Sequence, residues 1–285
     1  MIKVIKWKIV TDSGASIREL ETNNKEIDFD IVPLMINIGK DVYEDSPDLD
    51  VQNFLNTLKT TKQNTSSACP SPEVYANRFV GAENVICFTL SSELSGSYNS
   101  AVLGRDIALE SNPDVNIFVF NTRSAGAEMD LLIKKSLDLI KNDLVFDDVI
   151  NQLEKYHKTV DTAFLLESVD NLVRNGRVSK LVGQMIGFLG IRLIGNRTPE
   201  GTIQLAHKSK GQKRALKTLV NELKTKGYTG GKIEINHVMN IDLANDFIKE
   251  VTAEFPSASI ATRTASALCS YYAEHDGMIV GFETI

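Results

Sequence analysis

The sequence predicts an α/β protein built from two α/β domains. Three observations lead there. Short β-branched or aromatic runs, such as Val85–Leu90 and Val115–Phe120, alternate with longer amphipathic stretches such as Ala127–Ile140. The chain has 285 residues, more than one hydrophobic core usually organises. After a helical stretch over 146–160 the alternation begins afresh at Ala163, which divides the chain into 1–158 and 159–285.

Val4–Val10 alternates as a strand should and ends at the polar turn Thr11-Asp12-Ser13-Gly14. Ile31–Ile38 contains Pro33, which cannot donate to a ladder, so an edge strand or hairpin is expected. Leu49–Leu58 reads as a helix. Thr65–Cys69 reads as a hydroxyl-rich loop, and Ser71-Pro72 supplies an N-cap and first turn for a helix over Pro72–Val80. The strand Val85–Leu90 runs into Ser91-Ser92-Glu93-Leu94-Ser95-Gly96-Ser97, and a helix over Asn99–Leu109 follows.

In the second half, Ala163–Leu166, Ile203–Ala206, Ile233–Val238, Ile260–Thr264 and Met278–Phe282 read as strands. Helices are expected over Val178–Leu189, Ala215–Lys226, Leu243–Phe255 and Ala267–Glu274. The first of these is apolar around most of its circumference, as a helix buried on several sides is.

Composition narrows the function. The net charge of −6 argues against a nucleic-acid partner, which needs Lys and Arg to neutralise phosphates. Cys69, Cys87 and Cys269 are odd in number and form no CxxC pair, which excludes a disulfide framework and disfavours a thiolate metal site. They suit a reducing compartment. The apolar run at the start is too short for a signal-peptide core, and no stretch approaches the ~20 apolar residues of a membrane span. A cytoplasmic location without a transmembrane segment is expected.

The familiar catalytic signatures are absent. There is no GxSxG elbow, and no GxGxxG follows the first strand. His157, His207, His237 and His275 are scattered without a ligand spacing, so neither a metal nor a cofactor is expected. What stands out is hydroxyl clustering at two junctions, Thr65-Ser66-Ser67 and Ser91 through Ser97. Helix N-termini offer free N–H groups and positive potential, so hydroxyls beside them suit an oxyanion. The same serines also serve as helix caps, and residue pattern leaves both readings open.

The second cluster carries a resemblance. Phe88-Thr89-Leu90-Ser91-Ser92-Glu93-Leu94-Ser95-Gly96-Ser97-Tyr98-Asn99-Ser100-Ala101 closely resembles the signature of the DegV family. Ile9-Val10-Thr11-Asp12-Ser13, Ile31-Val32-Pro33-Leu34, Tyr43-Glu44-Asp45, Ser67-Ala68-Cys69-Pro70-Ser71-Pro72 and Asn171-Leu172-Val173-Arg174-Asn175-Gly176-Arg177 are similar to further family segments, in family order.

The resemblance implies a long-chain fatty acid held between the two domains, with no other cofactor. It implies a non-catalytic, acyl-carrying subunit that presents the carboxylate to a separate ATP-dependent fatty acid kinase. On that pattern Ser95 binds the carboxylate, with Gly96 and Ser97 beside it. A second hydroxyl is expected at Ser67 or, counted from the other end of the motif, at Thr65, with Ser67 preferred. Where the family often carries His-x-Gly-Pro-Gly, this chain has Ala267-Leu268-Cys269-Ser270, so no histidine is expected in the head-group network; Ser270 is a further ligand candidate. The family's Lys-x-Arg-Gly appears as Lys208-Ser209-Lys210-Gly211. Met185, Ile186 and Leu189 are expected in the acyl-tunnel wall, and Lys210, Arg214 and Arg197 in a docking patch for the kinase. The alternatives are a stand-alone lipid sensor or transport module, and a serine-dependent hydrolase or acyltransferase using Ser95.

Overall fold

The computed structural model describes residues 5–22, 24–179 and 190–284. Its first part runs β1 (Ile5–Asp12), β2 (Ile27–Val32), β3 (Met35–Ile38), β4 (Asp41–Glu44), α1 (Val51–Thr60), β5 (Thr65–Ala68) and α2 (Pro72–Arg78). There follow β6 (Ala82–Thr89), α3 (Ser97–Ser111), β7 (Asn116–Asn121), α4 (Ala127–Lys141) and α5 (Phe146–His157). The later part holds β8 (Val160–Leu166), α6 (Asp170–Arg174), β9 (Ile191–Arg197), β10 (Ile203–Lys210) and α7 (Gln212–Thr225). It ends with β11 (Lys232–His237), α8 (Ile241–Glu254), β12 (Ser259–Thr264), α9 (Ala267–Ala273) and β13 (Met278–Glu283).

β2-β1-β6-β7 form a four-stranded parallel sheet. Both faces are covered, which explains its near-continuous apolar strands. Val10, Val85, Cys87 and Val119 pack with Tyr75 of α2, its C-cap Phe79 and Ala101 of α3. Ile9, Ile86, Phe88 and Phe120 point to Leu131, Leu137 and Val149 of α4 and α5.

The second sheet has the order β10-β9-β8-β13-β11-β12 and is antiparallel except for the β11–β12 pair. One face is sealed by Leu216, Leu219 and Leu223 of α7 and Phe247 and Val251 of α8. Helix α4 packs across the other face, over β13 and β11. Contact is close there: a Cβ on Gly281 would lie 2.4 Å from the Glu128 backbone nitrogen.

Among the described residues, every strand of the six-stranded sheet begins at or after Val160. Helix α9 nevertheless returns to the first core, where Ala267, Leu268 and Tyr271 are buried. Asp45 directs that return. Its carboxylate accepts the Ala267 and Leu268 N–H groups at 3.1 and 3.0 Å and pairs with Arg18.

Two expectations need correction. Thr65–Ala68 is a strand instead of a loop, because β3 offers an edge whose Ile36 and Ile38 pair with Ser67 and Thr65. Pro33 splits the expected Ile31–Ile38 strand into β2 and β3, which join different sheets. Ser71 stands at the N-cap of α2 but makes no side-chain cap bond. The helix expected over Val178–Leu189 lies almost wholly outside the described residues.

Candidate functional site

A cavity lies between the six-stranded sheet and the first-half residues Leu34, Ser67, Leu90 and Ser95. Leu34, Leu90, Leu166, Leu172, Leu268 and Ile279 supply much of its apolar wall. Thr162, Phe164 and Leu166 all line it because a strand sends alternate side chains to one face.

Ser67 and Ser95 line this same cavity, although they come from different junctions. Gly96 packs closely on the other junction: a Cβ there would lie 3.1 Å from Cys69 Sγ, which would have to give by a few tenths of an ångström.

Each hydroxyl has a defined partner. The Ser97 N–H donates to Ser95 Oγ at 3.2 Å. That bond uses a lone pair and leaves the Ser95 proton free to be donated. Ser67 Oγ lies 2.7 Å from Tyr272 Oη. Burial pushes the Tyr272 phenol up, opposed by the Ser67 hydrogen bond and the nearby Arg177 charge. The Arg177 guanidinium stands 5.8 Å from the Tyr272 ring centroid, and its Nε donates to the Leu94 carbonyl at 3.0 Å. Ser67, Ser95, Tyr272 and Arg177 thus share one mainly apolar cavity, on whose wall Ser124, Thr162, Thr202, Asn196, Arg123 and Arg197 also stand.

The remaining candidates separate. Thr65 sits one pleat from Ser67 but is buried and taken by Tyr271 Oη at 2.9 Å and Arg174 at 3.2 Å. It does not line the cavity. Ser97 is buried beneath Ser95 and donates to Asp12 at 2.6 Å. Ser270 is also buried, donating to the Ala265 carbonyl at 3.3 Å. Met185, Ile186 and Leu189 lie outside the described residues.

Arg197 is corrected as a docking residue. Its guanidinium grips the fully buried Glu128 through two bonds of 2.7 and 3.0 Å and lines the cavity. The β9–β10 register puts it at the opposite end of the hairpin from Lys210. Lys210 and Arg214 do come together, sharing an exposed groove with Lys213 and Lys217 at the start of α7.

Sequence reasoning missed Tyr272, Cys269 and Arg177 as lining residues. Arg177 and Cys269 had a signal, since each stands in a segment already set beside one of the family's; Tyr272 had none. Glu167, His275 and Asp276 bring ligand atoms within 4.8 Å of one another. Arg192 pairs with Glu167 and stands 3.9 Å from Asp276, a cation where a metal ion would need open carboxylates.

Residues 6–284 match the family model described as "Uncharacterised protein, DegV family". The chain belongs to the DegV family. A DegV domain-containing protein of Streptococcus pyogenes serotype M1 is 43% identical over 277 residues, covering 97% of this chain and 99% of the relative. The solved structure of the Streptococcus pneumoniae Fatty Acid Kinase (Fak) B3 protein loaded with linoleic acid superposes with a TM-score of 0.96. It shares 39% identity and covers 98% of this chain and 100% of its own. A DegV family protein from Eubacterium eligens loaded with heptadecanoic acid gives a TM-score of 0.93 at 31% identity, covering 98% and 100%. These similarities place the chain in the DegV fold.

Proposed function

We propose that this DegV family member buries one long-chain fatty acid between its halves, 1–158 and 159–285, with the carboxylate on Ser67 and Ser95. It then presents that carboxylate to a separate ATP-dependent kinase subunit. The observation that carries the reading is the meeting of Ser67 and Ser95 in one apolar cavity beside Arg177. Fatty acids loaded in two relatives of near-identical fold support the ligand class. The name of the Streptococcus pneumoniae relative supports the kinase partner.

The physics suits the ligand. A buried carboxylate is costly unless donors surround it, and the two hydroxyls and Arg177 supply them. Each methylene removed from water contributes ~0.8 kcal/mol, so a long tail offers on the order of 10 kcal/mol before binding costs. The hydrolase reading has less support. Among the described residues no histidine lines the cavity, and a serine nucleophile needs a base.

Denaturing extraction and mass spectrometry of the purified protein tests the ligand. A long-chain acid at near one per chain is expected, lost from Ser95→Ala and reduced in Ser67→Ala. Unchanged acid affinity in Ser95→Ala would reject the head-group assignment.

For the partner, the groove of Lys210, Lys213, Arg214 and Lys217 suits an acidic protein surface. Reversing charge at Lys210 and Arg214 is expected to cut phosphorylation of bound acid while leaving lipid content unchanged. Loss of both properties together, or of neither, counts against docking there.

A further inference from the structure

Beneath the Ser95 loop lies a buried carboxylate, Asp12, that does not itself line the cavity. Asp12 ends β1 and is fully buried. Its Oδ1 accepts the Gly14 N–H at 3.0 Å, while Oδ2 accepts the Leu90 N–H at 2.8 Å and the Ser97 hydroxyl at 2.6 Å. Tyr75 Oη stands 2.5 Å from Ser97 Oγ. Ser97 has one hydroxyl proton and gives it to Asp12, so Tyr75 must be the donor to Ser97. The relay runs from Tyr75 to Ser97 to Asp12, and it clamps Ser97 on both sides.

We propose that Asp12 is a positioning residue for the head-group loop, clamping Ser97 so that its N–H stays on Ser95 Oγ. Ser95 then keeps its proton for the ligand. This rests on the carboxylate reading above and adds to it a residue that never meets the ligand. The three donors reaching Asp12 come from the turn after β1, the end of β6 and the start of α3, so one carboxylate sets three segments against each other. Its loss would loosen the loop at the position where a shift of an ångström matters.

The surroundings make the clamp titratable. Burial pushes Asp12 up to about 6, opposed by its bonds from Ser97, Leu90 and Gly14 and reinforced by the Asp45 charge. The other ionisable groups facing it are Tyr75 and Cys87, both pushed up by burial first and by Asp12 second. Arg18 answers Asp45. Once protonated, Asp12 can donate only to Ser97 Oγ, because Gly14 and Leu90 offer N–H groups. The bond between them then reverses: Ser97 Oγ accepts from Asp12, and its own proton turns from the carboxyl. A charge-assisted hydrogen bond gives way to a weaker neutral one, which loosens the clamp.

The test compares linoleic acid with linoleyl alcohol, which has the same tail without the charge. Asp12→Asn is expected to weaken acid binding about tenfold or more and to leave the alcohol nearly unaffected. In the unsubstituted protein the acid-to-alcohol affinity ratio should fall as pH drops through about 6, while in Asp12→Asn it should stay flat. Should Asp12→Asn not fold, Ser97→Ala cuts the same link while keeping the backbone N–H, and the same acid-selective loss is expected. Equal loss for both ligands, no loss, or tighter acid binding at low pH overturns the proposal. Ser95→Ala separates the two ideas. If it binds acid normally, the carboxylate reading falls. If it loses acid while Asp12→Asn and Ser97→Ala do not, only the clamp falls.

Discussion

Ser67 Oγ and Tyr272 Oη stand 2.7 Å apart, although 205 residues separate them in the chain. The bond joins β5, in the first half, to α9, a helix that leaves the second half to enter the first core. Tyr272 Oη can donate to Ser67, which frees the Ser67 proton for a ligand. Tyr272→Phe is expected to weaken linoleic acid binding severalfold, on the scale of one net hydrogen bond, about 1 kcal/mol. Equilibrium titration checks this, and unchanged affinity would show that Ser67 needs no partner.

The Glu128–Arg197 pair joins α4 to β9 across the space between the sheets. Glu128 is fully buried and also accepts the Thr162 hydroxyl at 2.7 Å. Removing Glu128 takes away the bidentate partner of Arg197 and leaves it Asp161, at 3.4 Å, as its other carboxylate. Glu128→Leu should therefore cost up to about 3–5 kcal/mol of unfolding free energy in denaturant titration. Replacing both residues by apolar ones should recover much of that loss. A double variant no better than the single one would point to Thr162 as the main partner.

Asp12 also links stability to pH. Its folded value near 6 lies above the ordinary carboxylate value of 3.8, so the folded chain takes up this proton first. Stability from this group rises as pH falls through 6 toward 3.8 and is absent above the folded value. Relative to Asp12→Asn, the unsubstituted protein should gain up to about 3 kcal/mol across that window. Parallel stability curves for the two proteins would show that Asp12 titrates in the ordinary range.

Gly281 faces the start of α4 so closely that a methyl group would overlap backbone at Ala127 and Glu128. Gly281→Ala is expected to cost about 1–3 kcal/mol through overpacking. Because Glu128 at that contact holds the cavity-lining Thr162 and Arg197, linoleic acid affinity should fall too. Stability loss with intact affinity would show that the cavity does not depend on this contact.

Strand and helix types were legible wherever the period was strong, as in Val85–Leu90 and Ala127–Ile140, because side-chain alternation records which faces are buried. The strand β9 and the short helix α6 carried no comparable signal. Thr65–Ala68 was misread because small hydroxyl residues carry little apolar periodicity, and only the neighbouring edge of β3 makes them a strand. Arg197 was misread because a charge in sequence does not declare whether it faces water. Glu128, 69 residues away, is what draws it inward.

Local chemistry alone determined the α/β class, the two hydroxyl-rich junctions and the family, since each rests on residues adjacent in the chain. Tertiary structure alone decided that Ser67 enters the cavity while Thr65 is spent on Tyr271 and Arg174. It alone brought Tyr272 and Arg177 beside the serines and put Asp12 under Ser97. The physical reason is the same throughout. A hydroxyl's role depends on which partner consumes its lone pairs and its proton, and those partners arrive from distant segments when two sheets pack.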